Sequence, residues 1–181
     1  MKFLKLVIFL LLGASTQYSF ARTLYAVTNN GQLNGAIWAL SPGGTACCSP
    51  QAGDVLIIPN GINVNVSSNM SIDVVVYIKV EATASITFAT CNATLNLAAG
   101  SGLQVLATST QYGLLDTSAS CSGGNSNRIR IGNSTVWQGR CTGNSTPCEN
   151  GPYDFGSIGI LPVDLLHFSG TNLHNVQVAL E

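Results

Sequence analysis

Charge is what this sequence has least of. Only 8% of its 181 residues are Asp, Glu, Lys or Arg, about a third of the ~25% usual in soluble domains. Asn, Ser, Thr, Gln and Gly must therefore wet the exterior, a composition common in secreted β proteins and rare in cytosolic enzymes. There is no basic stripe to neutralise phosphates, which excludes nucleic acid as a partner. Histidine is nearly absent, His167 and His174 both falling in the C-terminal tail, and no C-x-x-C pair occurs. A zinc site is thereby disfavoured. Helical periodicity is missing from everything after the N-terminal segment. No apolar run reaches the ~20 residues that a membrane span needs.

What is present begins with an export signal. Lys2 and Lys5 precede the apolar run Leu6 to Leu12, and small and polar residues lead to Ser19-Phe20-Ala21. This pattern marks residues 1–21 as a secretory signal peptide with cleavage expected after Ala21. The remaining chain, Arg22 to Glu181, is long enough for one exported domain with a real core. Its six cysteines, Cys47, Cys48, Cys91, Cys121, Cys141 and Cys148, are an even number in an oxidising compartment and predict disulfides. Cys141 and Cys148 flank the turn-forming stretch TGNSTP and suit a local bridge. Cys47 and Cys48 are adjacent, so a bond between them would close a strained ring. They are expected to face different partners.

Short alternating segments fill the middle of the chain. In GDVLIIPNGINVNV, residues 53–66, an apolar run and a Pro-Asn-Gly break lead to Ile62, Val64 and Val66 alternating with Asn63 and Asn65. Such alternation puts the aliphatic residues in the core and the asparagines outside. Shifting the chain by 17 residues lays Ile78 on Leu95, Val80 on Leu97, Ile86 on Leu103 and Phe88 on Val105, while Ile62 and Val64 stand 24 positions before Ile86 and Phe88. Repeats of this size, each a pair of short strands, predict an all-β, right-handed β-solenoid or β-helix-like stack, with Gly61, Gly100 and Gly102 at its corners. A β-sandwich is the alternative. The solenoid is expected over residues 22–159, with an N-terminal cap and a disulfide-linked loop region, and a composition shift near Gly159 begins a separate segment, 160–181.

Two stretches carry resemblances. WALSPGGTACCSPQAGDVLIIPNGINVNV, from Trp38 to Val66, resembles the opening of the extracellular eight-glycine (G-eight) domain, which implies a β-rich coil of strand pairs in a secreted or cell-surface protein. LPVDLLHFSGTNLHNVQVALE, at the C-terminus, resembles the first strands of the β-sandwich linker that precedes the sorting domain in type IX secretion system cargo of Gram-negative bacteria. That resemblance implies export to the cell surface or beyond, with residues 160–181 a stub of the linker. A chain ending at Glu181 would be a fragment, or a truncated product carried no further than the periplasm.

No catalytic constellation is legible. The carboxylates Asp54, Asp73, Glu81, Asp116, Glu149, Asp154, Asp164 and Glu181 are scattered, and Asn, Thr and Ser neither bind calcium strongly nor transfer protons at neutral pH. No metal or cofactor is expected. Five sequons, at Asn65, Asn69, Asn92, Asn133 and Asn144, fit chance in an Asn/Ser/Thr-rich chain with a bacterial tail. Trp137, Tyr153 and Phe155 lie beside Arg128, Arg130 and Arg140 in an irregular region. Arg128, Arg130, Trp137 and Tyr153 are the ligand-contact candidates, their rings suited to stacking on sugars. Against this, the aromatics would serve equally to plug the open end of a solenoid, and that role is favoured. The resulting expectation is a secreted or cell-surface, non-catalytic module with an adhesive, carbohydrate-contacting or spacer role and an extracellular glycan or surface protein as partner. A polysaccharide-active enzyme or its accessory binding module is the alternative.

Overall fold

A computed structural model describes residues 21–109, 111–116, 127–139 and 152–156. Fourteen short strands account for the regular structure, and no helix occurs among the described residues. The chain enters through β1 (Thr23–Ala26), β2 (Gly31–Gln32) and β3 (Trp38–Ala39). Three strands then make one coil, β4 (Val55–Ile58), β5 (Asn63–Val66) and β6 (Met70–Ile72). The next coil is β7 (Tyr77–Val80), β8 (Ser85–Phe88) and β9 (Thr94–Leu97), and the last is β10 (Gly102–Val105), β11 (Gly113–Asp116) and β12 (Arg128–Ile131). Finally come β13 (Ser134–Gln138) and β14 (Tyr153–Phe155).

Every third strand pairs with its predecessor in parallel. The first face has the order β14-β10-β7-β4-β1-β3, the second β11-β8-β5-β2 and the third β13-β12-β9-β6. Successive strands thus visit three sheets in turn, which is a β-solenoid; a sandwich of hairpins would pair neighbours antiparallel. Antiparallel pairs are confined to the ends, β3 on β1, β13 on β12 and β14 on β10. Inner positions stack in columns: Leu24, Leu56, Ile78 and Leu103 form one, and Ala26, Ile58, Val80 and Val105 another. All eight are buried. Val64 and Val66 stack on Ile86 and Phe88, with Leu114 above Ile86. No single coil could bury these residues; stacking does.

The 17-residue match does not join adjacent coils. Ile78 lies on the first face and Leu95 on the third face of the same coil, while Phe88 and Val105 lie on different faces. The true partner of Ile78 in the next coil is Leu103, and that of Val64 is Ile86 rather than a residue two positions on. Coil length runs from 22 residues, Asn63 to Ser85, to 25, Asn69 to Thr94, and 34, Ala93 to Asn127. All three faces carry the same aliphatic alternation, so a shift that laid one face on another matched as well as the real repeat. Gly61 and Gly100 do hold the positive φ expected at corners, +80° and +89°. Gly102 instead opens β10 and is buried within the sheet.

The two ends are closed differently. At the start, Trp38 is fully buried and its Nε1 donates to Leu33 O at 3.2 Å. Cys47 N and Cys48 N both donate to Trp38 O, at 2.9 and 3.2 Å. Held on that single carbonyl, the two cysteines are bonded to each other, contrary to the expectation of separate partners. Their Cα atoms are 3.7 Å apart, the ordinary spacing across a trans peptide. Cys91 is also disulfide-bonded. Cys121, Cys141 and Cys148 lie outside the described residues, as do all of the expected leader but Ala21, the expected boundary at Gly159 and the tail. At the far end Trp137 packs on Phe88, ring centroids 5.1 Å apart, and Tyr153 stacks on Phe155 at 5.1 Å.

Ile86→Asp is expected to abolish folding, because Ile86 is fully buried in mid-stack and an unpaired carboxylate there costs several kcal/mol. A circular-dichroism melt matching the wild type would remove Ile86 from the core. Digestion of the non-reduced protein should yield one peptide holding both Cys47 and Cys48, oxidised and joined to no other peptide. A cross-link from either cysteine to another part of the chain would overturn their pairing.

Candidate functional site

The outer positions of the second and third faces are ladders mostly of amides and hydroxyls, ending in Leu115 on the second face and including Arg128 and Arg130 on the third. Gln32, Asn65 and Thr87 form one column, and Asn63 stands over Ser85 beside it. On the third face Ser71, Asn96, Arg130 and Thr135 align, as do Thr94, Arg128 and Gln138. The asparagines tie coil to coil. Asn29 Oδ1 accepts from Asn63 N at 2.8 Å, Asn60 Oδ1 from Thr83 N at 2.9 Å, and Asn69 Oδ1 from Thr94 N at 2.9 Å. Asn63 Oδ1 accepts from Ser85 Oγ at 2.8 Å, and Asn65 Nδ2 donates to Asn30 O at 3.0 Å. Asn30 and Asn92 themselves take positive φ, 58° and 61°, a conformation that asparagine tolerates better than most residues.

Among the described residues two carboxylates are buried, Asp54 and Asp116. Asp54 has no exposed surface; its Oδ1 accepts from Arg22 N at 3.1 Å and Arg22 Nε at 3.2 Å. Asp54 Oδ2 accepts from Arg22 Nη2 at 2.6 Å and Gln51 N at 2.8 Å. Burial pushes this carboxyl up, but the guanidinium bond and the backbone donors of Gln51 and Arg22 outweigh it and hold Asp54 below its ordinary range. Asp116 sits above Phe88 in an inner column. Asn127 Nδ2 donates to Asp116 Oδ1 at 3.1 Å, Asn127 Oδ1 accepts from Ala93 N at 2.6 Å, and Asn127 O accepts from Gly139 N at 2.9 Å. A Cβ on Gly139 would overlap Asp116 Oδ2. Asn127 thereby joins the last coil, the buried carboxylate and the closing strand.

The ligand-contact candidates separate. Trp137 is buried at 4% exposure, so its ring belongs to the cap and offers no face to a sugar. Tyr153 is half-buried over Val105 at the end of an inner column. Arg128 and Arg130 do point outward from β12, Arg130 Nη2 donating to Asn133 O at 3.2 Å. The aromatics that stand outside are others. Tyr25 and Tyr77 occupy outward positions of the first face with Ile57, Lys79 and Gln104. Neither tyrosine hydroxyl bonds to another described residue. Tyr77 lies two strands from Tyr25 and two residues along, about 12 Å by ordinary sheet spacings. Their phase in TLYA and YIKV, opposite to Leu24 and Ile78, was the sequence signal for them.

Among the described residues no group of three or more His, Cys, Asp or Glu could hold a metal ion, and no helix is long and apolar enough to cross a membrane. Comparison with protein families, curated proteins and solved structures finds no match.

Asp54→Ala should cost about 2 kcal/mol at neutral pH by chemical denaturation, since it takes the acceptor from the backbone donors of Arg22 and Gln51 and leaves a part-exposed guanidinium unpaired. The depressed carboxyl contributes stability that is complete above its unfolded value of 3.8 and is lost as pH falls through the folded value. The gap between wild type and variant should therefore close in acid. A gap independent of pH would mean that lost packing, not charge, carries the effect.

Proposed function

We propose that this chain is an exported, non-catalytic β-solenoid module whose rigid outer surface contacts extracellular glycan, as the adhesive part of a secreted or cell-surface protein. The observation that carries this reading is the chemistry of the outward columns. Amides and hydroxyls stand in fixed register on the second and third faces, the third also carrying Arg128 and Arg130, and Tyr25 and Tyr77 stand on the first. Sugar recognition draws on these groups, ring faces for stacking and neutral donors and acceptors for hydroxyls. Glycoside hydrolysis by contrast asks for two carboxyls facing each other across ~5–9.5 Å. In the strand registers no two described carboxylates stand opposite each other. The export signal and the resemblances to the G-eight domain and to type IX cargo favour the same setting, with the periplasm as the location if export goes no further than crossing the inner membrane.

Purified Arg22–Glu181 protein should be retained on one or more members of a panel of immobilised polysaccharides, releasing no new reducing ends. The pair Tyr25→Ala and Tyr77→Ala should weaken retention about tenfold, on the order of 1.4 kcal/mol, without lowering the melting temperature by more than a few degrees. Retention by no polysaccharide would overturn the glycan reading. Release of reducing ends would replace it with the enzymatic one.

A further inference from the structure

The Asp54 carboxylate is built around a residue that the sequence marks as a future chain terminus. Arg22 supplies three donors to it: guanidinium Nε and Nη2, and its own backbone nitrogen, 3.1 Å from Oδ1. That nitrogen belongs to the Ala21–Arg22 peptide bond, the bond after which the signal grammar Ser19-Phe20-Ala21 ends. Ala21 is exposed. Arg22 is anchored, its carbonyl accepting from Val55 N at 2.8 Å, and β1 begins at the next residue.

We propose that hydrolysis of the Ala21–Arg22 bond is a maturation step that completes the Asp54 site, the newly made α-ammonium of Arg22 becoming the third, charged donor to this buried carboxylate. The step balances with water alone. The peptide C–N bond breaks, water's oxygen goes to the Ala21 carboxylate, and the Arg22 nitrogen leaves as an amine that is protonated at neutral pH. A signal peptidase is the class of enzyme required. No atom of the folded domain has to move, since the nitrogen already lies at hydrogen-bond distance. What changes is its charge: a neutral amide donor becomes a cationic one, so the hydrogen bond to the carboxylate becomes an ion pair as well. The carboxylate then faces two cations, the guanidinium and the ammonium, within one residue. The other neighbours of the site are neutral: Gln51 N donates to Oδ2, and Ser49 O accepts from Arg22 Nη2. A leader still attached would keep the domain foldable and less stable. Removal of the leader would then be felt as a tightening of the first coil.

The proposal rests on the export reading, and two measurements separate them. The first is N-terminal sequencing of protein recovered from the exporting cell, which should begin at Arg22. Any other terminus, or a retained leader, overturns both export as read here and the proposal. The second needs no export. Chains beginning at Arg22 and at Ala21 are prepared by scarless removal of a fusion partner, each with Asp54 and with Asp54→Asn. At pH 6.5 the chain beginning at Arg22 should exceed the chain beginning at Ala21 by about tenfold in folding equilibrium constant, a typical size for one gained buried interaction. The advantage should vanish in the Asp54→Asn pair. It should also fade as pH rises past the ordinary α-amino range, ~7.7–8.0, because a group bound more tightly when protonated loses its contribution on titration. The α-amine should react more slowly with an acylating reagent in the Asp54 chain than in the same chain unfolded in urea. Equal stability of the two wild-type chains, or equal amine reactivity folded and unfolded, overturns the ammonium's role. If Asp54→Asn fails to fold, the comparison of the two wild-type chains and the amine reactivity still decide.

Discussion

Stacking in register at the strand spacing, ~4.8 Å, is the constraint on which the rest of this structure depends. Each inner residue lies over its counterpart in the coil before, so Leu24, Leu56, Ile78 and Leu103 are neighbours in space though far apart in sequence. The same geometry acts on the outside with the opposite consequence. Like charges set directly across a sheet repel, and a solenoid places equivalent positions directly across from one another at every coil. Amides and hydroxyls escape this because each presents both a donor and an acceptor, as when Asn63 accepts from Ser85 and its neighbour Asn65 donates to Asn30. The scarcity of charge is thus the outer counterpart of the aliphatic core. Asp54 obeys the rule by not repeating: the positions above it in the following coils are Val76 and Ser101.

A stack that repeats has to end, and the ends are where the chain stops behaving like a repeat. Parallel pairing gives way to antiparallel strands, and large aromatics appear where the columns would otherwise open to water. Trp38 closes one end, with the bonded cysteine pair pinned to its carbonyl. Trp137 lies over Phe88 at the other, and Phe155 and Tyr153 continue the columns of Leu103 and Val105. Asn127 makes the same asparagine-to-backbone tie as the middle coils, to Ala93 N, and adds a bond to the buried Asp116 that locks the closure.

How much of this was legible follows from which interactions are local. Alternation in GINVNV and YIKV is a property of four residues, and it identified strands, inner faces and the solenoid. Coil length is set by which face hydrogen-bonds to which, and three similar faces offer several matches of comparable quality. Corner glycines at 61 and 100 were readable because positive φ leaves a residue-type trace; Gly102 sits in the same local context without it. The Cys47–Cys48 bond was not legible because adjacency argues for separate partners, and the Trp38 carbonyl that holds both amides lies outside the local sequence. Trp137 was open to two readings beside the arginines, sugar contact or the favoured end cap, and the antiparallel return of β13 buries it on Phe88 as a cap. Tyr25 and Tyr77 are legible by phase, but they lie in regular strands, away from the irregular region that holds Trp137 and Tyr153.

The coil geometry also bears on what such a module is good for. A coil of 22 residues, Asn63 to Ser85, advances the chain by a single strand spacing, whereas the same residues fully extended would reach roughly 70 Å. As a means of gaining distance from a cell surface the solenoid is therefore very inefficient per residue. What each added coil does enlarge is area: it extends three flat, prewetted walls by one row, in a lattice whose side-chain positions are fixed before any partner arrives. Binding to such a wall orders little that was not already ordered, so a weak contact repeated along a polymer loses little affinity to lost flexibility.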